Sequence, residues 1–198
     1  MKKVILGSAS PRRRELLGQI GIEFEVKTSD AKECYQSTIP EEIVKELALQ
    51  KAENVTADLL KEQGNLEDVI VIGADTIVVQ DHKILGKPAD KEDAFRMISS
   101  LQGRDHQVFT GTALLIYDAE GNKKIVNHAV ETKVYVNAMD EQEILTYIDG
   151  GEPMDKAGAY GIQGAFAAFI EKIEGDYYNV VGLPVSYIYQ ELKKAKAV

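Results

Sequence analysis

The run Val69 to Val79, VIVIGADTIVV, constrains this chain more than any other stretch. It reads as a fully buried strand whose apolar run is interrupted by Asp75 and Thr76. An unpaired carboxylate there would cost on the order of several kcal/mol to desolvate, so Asp75 needs partners. Two readings stand at this point: Asp75 caps a turn, or the chain holds it at the edge of a cleft for chemistry.

The 198 residues fit one large domain spanning 1–198 or two intimately packed lobes, and 44% hydrophobic content is enough for a real core. A net charge of -9 argues against a surface that tracks the phosphates of nucleic acid, so any polyanionic ligand must meet a local cationic pocket. Cys34 is the only cysteine, which excludes an internal disulfide and a thiolate zinc site. No segment approaches the roughly 20 apolar residues of a membrane span, and the apolar run after Lys3 is too short for a signal peptide. The expectation is a soluble cytoplasmic protein with no nucleic-acid or membrane partner.

Val4 to Gly7 reads as a short strand, after which Ser10 caps a helix opened by Pro11. Arg12, Arg13 and Arg14 then occupy the first turn, where cations oppose the helix dipole. A solvated basic patch is one explanation. The other is an anion held between guanidinium groups and the unsatisfied first-turn amides, with Arg14 the bystander. Phe24 to Thr28 alternates like a strand. A long helix follows from Thr38 to about Lys61, and Lys51 falls on its apolar stripe, either snorkelling to the rim or reaching into a cleft.

Beyond the focal strand, His82 to Leu85 reads as a hairpin return, and Gly86-Lys87-Pro88 as a tight turn that does not satisfy the P-loop pattern. Asp90 with Asp93, and Asp140 with Glu143, mark two further helix starts. Val108 to Tyr117 and Lys124 to Asn137 form two long strands around a hairpin. In Asp155 to Gly164, glycines recur every third residue, which indicates close backbone approach. Ala167 to Ile173 reads as a strand, Gly175 to Asn179 as a turn, and a last helix opens at Leu183-Pro184. His82, His106 and His128 show no metal spacing.

Taken together, Ser8-Ala9-Ser10-Pro11-Arg12-Arg13, Gly73-Ala74-Asp75-Thr76, Gly86-Lys87-Pro88, Asp155 to Gly164 and Gly175-Asp176-Tyr177-Tyr178 resemble the Maf family of nucleoside triphosphate pyrophosphatases. The resemblance runs from residue 3 to about 190. It implies a mixed α/β fold like that of the inosine triphosphate pyrophosphatases, with an elongated sheet, flanking helices and two lobes around a central cleft. It implies hydrolysis of a nucleoside triphosphate to the monophosphate and pyrophosphate, a divalent metal (Mg2+ or Mn2+), a homodimer, and a link to septum formation.

Residue by residue, the resemblance makes Asp75 the general base, and Arg12, Thr76 and Gln163 the positions tied to substrate choice in the dTTP and UTP branch. Arg13, Lys51 and Lys87 match cations around the phosphates, and Ser8 and Glu33 match polar positions of the cleft. Asp75 and Glu33 are the candidate metal ligands, with Glu131 and Asp155 in reserve, and Asp75 as base or as metal ligand stays open. The leading expectation is a house-cleaning enzyme for dTTP, UTP and modified pyrimidine nucleotides. The alternatives are a pyrophosphatase for modified purine nucleotides and a nucleotide-binding regulator of septation with little turnover.

Overall fold

Apolar residues on β3 (Val69–Gln80) set the centre of the sheet, since the strand is buried along nearly its whole length. The computed structural model describes residues 2–198, and among these seven strands form one sheet. Its order is β2-β1-β3-β5-β6-β7, with β4 (Lys83–Leu85) paired on β3. β1 (Lys3–Leu6) runs parallel to β3 and to β2 (Glu25–Val26). β4 pairs antiparallel with β3, and β7 (Ile170–Glu174) antiparallel with β6 (Lys123–Val136). β5 (Asp105–Tyr117) lies between β3 and β6. The mixed sheet with flanking helices is the fold class expected from the sequence.

The chain divides into two compact units, neither of them a single stretch. The first comprises the residues up to Asp75, Thr110–Val130 and Gly182–Val198. Its helices are α1 (Pro11–Gln19), α2 (Pro40–Gln63) and α6 (Val185–Lys194). The apolar stripe of α2 buries Ala48, Ala52, Val55 and Leu59 against Ile5, Val71, Ala113 and Leu115. That packing depends on two glycines. A Cβ on Gly73 would lie 2.8 Å from Ala52 N and closer still to Ala48 O, and one on Gly111 would collide with the backbone at Val44. The α2 backbone therefore rests directly on β3 and β5, which fixes the height of every side chain it carries.

The second unit comprises Thr76–Phe109 and Glu131–Val181. It contains α3 (Lys91–Leu101), α4 (Glu141–Asp149) and α5 (Tyr177–Val181). Asp90 caps α3 by accepting from Asp93 N, and Asp140 and Glu143 form a complete capping box on α4. Tyr147, Tyr160, Phe166 and Phe169 pack ring against ring, and His106 meets Tyr160 edge to face. His106 Nε2 lies 2.7 Å from Tyr160 Oη, and burial pushes the imidazole pKa down to about 4.

Three local expectations change. The strand read as Phe24 to Thr28 shrinks to Glu25–Val26, because only those two residues pair with β1. Ala167 to Phe169 belong to a 3-10 segment (Ala165–Phe169), whose first amide, Ala165 N, is held by the Glu152 carboxylate, so β7 starts at Ile170. The turn at Gly175 to Asn179 leads straight into α5, since Asp176 Oδ1 accepts from Tyr178 N and acts as a cap.

Candidate active site

The first turn of α1 follows a bend in which Ser8 is buried and its Oγ accepts from the Ser10 amide at 3.3 Å. Ser10 occupies the N-cap position, but its side chain makes no capping bond. With no acid in the first turn, the positive end of α1 is uncompensated by its own sequence. Arg14 is exposed and donates back to Ala9 O at 2.7 Å.

Asp75 has the partner its burial requires. Lys51, four residues after Leu47 on the α2 stripe, brings Nζ to 2.6 Å from Asp75 Oδ1, with the two side chains only 20% and 14% exposed. The same ammonium lies 3.3 Å from Glu33 Oε2, whose side chain is 45% exposed. Lys51 therefore reaches inward, and the two carboxylates named from the sequence converge on one point. An ion pair this sheltered is favourable only with good geometry, which the direct seating of α2 on Gly73 supplies.

Arg13 is 9% exposed, and its guanidinium is committed to the protein. Nε donates to Gly182 O at 2.8 Å, and Nη1 donates to Ala74 O at 2.9 Å and Ser8 Oγ at 3.2 Å. It thereby ties the start of α1 to the residue before Asp75 and to the chain just ahead of α6. Burial pulls its pKa down, and the charge of Asp75 is the main influence opposing that. Arg12, the next residue back, is half-buried.

The remaining expected residues lie in the second unit. Thr76 follows Asp75 directly on β3 and is half-buried. Lys87 is exposed, in a turn whose Gly86 O accepts from Gly158 N at 3.0 Å. Gln163 is exposed in the glycine-rich stretch. The close approach anticipated there is real: Gly158, at φ +69°, packs on Val78, Gly161 lies beneath the Lys156 methylenes, and Gly164 faces the Glu152 carboxylate. Lys156 Nζ is bonded to Glu152 O and Asp155 Oδ1, both at 2.7 Å.

A sequence profile of the Maf-like proteins matches residues 3–195. The chain belongs to the Maf-like protein family. This Maf-like chain is 48% identical over 200 residues to a dTTP/UTP pyrophosphatase of Agathobacter rectalis, covering 98% of each chain. It is 52% identical over 186 residues to one of Alkaliphilus oremlandii, covering 93% of this chain and 92% of the relative. The Ham1 protein of Staphylococcus aureus aligns structurally over 98% of this chain and 99% of its own, at 12% identity and a TM-score of 0.48, a likeness that bears no weight for function.

The donor set of this Maf-like chain can be tested against a divalent metal. Among the described residues no group of three or more His, Cys, Asp or Glu side chains gathers as a metal site. Asp75 and Glu33 nevertheless share one cation, the Lys51 ammonium. Two converging carboxylates fit a hard ion of the magnesium type, which keeps waters and takes phosphate oxygens from its substrate, and do not fit a closed zinc site. Glu131, one of the reserves, is tied to Gln107 Nε2, and Asp155 to Lys156.

Sequence reasoning missed two features. Gly73 and Gly111 seat α2, yet a lone glycine in a strand says only that something approaches. Tyr147 and Glu152, which hold the glycine-rich stretch, carry no local sequence signal of that role.

Proposed function

We propose that this protein is a nucleoside triphosphate pyrophosphatase that hydrolyses dTTP and UTP, and modified pyrimidine nucleotides, to the monophosphate and pyrophosphate in a house-cleaning role. The observation that carries the reading is the sheltered Asp75 carboxylate, 2.6 Å from Lys51 Nζ and sharing it with Glu33. A binding module for triphosphates would need cations; a half-buried carboxylate set among them would weaken binding and is explained by chemistry. The dTTP/UTP pyrophosphatases among the relatives support the substrate class.

Asp75 accepts the proton of a water that attacks the α-phosphorus. The bond from that phosphorus to the bridging oxygen breaks, and pyrophosphate leaves with the electron pair. Lys51 orients Asp75 and offsets its charge, and Arg13 fixes the strand at Ala74, one residue before it. Arg12 and Lys87 are assigned to the phosphates, and Ser8 to the bend that presents the first turn of α1. Thr76, Arg12 and Gln163 are assigned to substrate choice, with the Gln163 amide, donor and acceptor at once, reading the O4 and N3-H edge of uracil or thymine. Asp75 and Glu33 would hold a divalent ion, Mg2+ or Mn2+, which when bound supplies charge neutralisation at the phosphates.

The test is a panel of canonical and modified nucleoside triphosphates with Mg2+ or Mn2+, assayed for pyrophosphate release. Turnover concentrated on dTTP and UTP supports the proposal. Turnover confined to purine nucleotides, or absent altogether, overturns it.

A further inference from the structure

The third member of the glycine series, Gly164, marks a device that the functional reading leaves unused. Glu152 is half-buried in a 3-10 turn (Glu152–Asp155) just after α4, and its two carboxylate oxygens do different work. Oε2 accepts from Ala165 N at 2.9 Å, and Oε1 accepts from Tyr147 Oη at 3.1 Å. The same Tyr147 hydroxyl accepts from Gly161 N at 3.3 Å. One carboxylate and one phenol thus hold the backbone on both sides of Gln163, while Gly164 N closes the turn onto Gly161 O at 3.2 Å.

The glycine at 164 leaves room for the Glu152 carboxylate, whereas the lysine tip beside Gly161 could swing aside. A Cβ at position 164 would collide with both Glu152 oxygens, and one at 161 would lie 2.7 Å from Lys156 Cε. Tyr147 is itself fixed: it sits in the last turn of capped α4, is buried against Phe166, and burial followed by the Glu152 charge raises its pKa. A charged acceptor bonded to a buried hydroxyl and a backbone amide makes stronger bonds than neutral partners would.

We propose that Glu152 and Tyr147 are positioning residues for nucleobase selection: they hold the 161–165 turn so that the Gln163 backbone stays at one place from which its amide meets the base. The inference rests on the assignment of Gln163 to base recognition made above. Reversal of the glutamine amide is a side-chain rotation that the turn does not block; what a held turn fixes is the distance and angle at which the amide meets the base, so that only the pairing with the O4 and N3-H edge is made at full strength. Rigid presentation is what converts an exposed amide into a discriminating one.

The test compares kcat/KM for dTTP and dCTP, by pyrophosphate release, in wild type, Gln163→Ala, Glu152→Ala, Glu152→Gln, Tyr147→Phe and the double variant Gln163→Ala/Glu152→Ala. Gln163→Ala and Glu152→Ala should each lower the dTTP to dCTP ratio by roughly tenfold or more, the discrimination of one hydrogen bond. The double variant should lower the ratio no further than Gln163→Ala alone. Glu152→Gln, which keeps an acceptor for Ala165 N, should retain most of the ratio, and Tyr147→Phe, which is mild enough to fold, should lose part of it. A loss in the ratio cannot come from a merely destabilised enzyme, which loses both activities together. If Gln163→Ala loses selectivity while Glu152→Ala and Tyr147→Phe keep it, or if the double variant loses more than either single one, this inference alone is overturned. If wild type releases no pyrophosphate from dTTP, or Gln163→Ala keeps the ratio, the functional assignment is overturned and this inference with it.

Discussion

Replacing Gly73 by alanine probes the contact on which the site geometry depends. The new Cβ would lie 2.8 Å from Ala52 N, 3.0 Å from Ala52 Cβ and closer still to Ala48 O, all on α2. These are mostly backbone atoms of a helix, so no side-chain rotation relieves them, and α2 must retreat from β3 by about 1 Å to restore ordinary contact. That displacement opens the packing of Ala48, Ala52 and Val55, for which overpacking costs of about 1–3 kcal/mol apply. For a chain of this size each kcal/mol lowers Tm by about 2–4 °C. The same retreat stretches the 2.6 Å contact between Lys51 Nζ and Asp75 beyond hydrogen-bond range, and a misplacement of about 1 Å at a reacting group can cost on the order of 100-fold in rate. The assay pairs thermal unfolding with kcat/KM for dTTP. Gly18→Ala is the control: it lies in α1 with nothing within 4 Å of its added Cβ, so it should leave activity intact and gain up to about 1 kcal/mol from helix propensity. A Gly73→Ala protein with wild-type Tm and rate would refute the claim that backbone contact with β3 places Lys51.

Arg13 and His106 give two further tests. Arg13→Lys removes the fixed fork that bonds Gly182 O and Ala74 O, so stability should fall by roughly 2–3 kcal/mol and kcat should drop with little change in KM; a raised KM at unchanged stability would instead make Arg13 a phosphate ligand. His106 has its pKa depressed from 6.5 to about 4, so the unfolded chain binds the extra proton in that window. Its contribution is therefore fully present above about pH 6.5 and falls away as pH drops toward 4, by roughly 3 kcal/mol at most. Urea unfolding across that range should show a flatter pH dependence in His106→Gln; an equally steep one would contradict the buried neutral imidazole.

Much of the site was legible because burial of a charge is a strong constraint. Asp75 inside an apolar run needed partners, and Lys51 on an apolar helical stripe had either to snorkel to the rim or to reach into a cleft; in the fold each is the other's partner. The caps at Asp90 and Asp140 were readable because a capping bond is local in sequence. What escaped was set by contacts distant in sequence. Nothing around Arg13 announces that its guanidinium reaches the carbonyls of Ala74 and Gly182. The five residues of α5 are too few to show helical periodicity, and Asp176, read as part of a turn, is its cap. Glu152 escaped notice because its partners, Tyr147 and the amide of Ala165, lie in separate segments whose mutual packing is not local in sequence.

The role given to Asp75 is tested most directly by measuring pyrophosphate release and nucleotide binding together in Asp75→Asn. The substitution keeps shape and hydrogen bonding to Lys51 while removing the charge that accepts the proton. Turnover of dTTP and UTP should fall at least about 100-fold while dTTP is still bound with affinity near that of wild type. Turnover close to wild type would contradict that role.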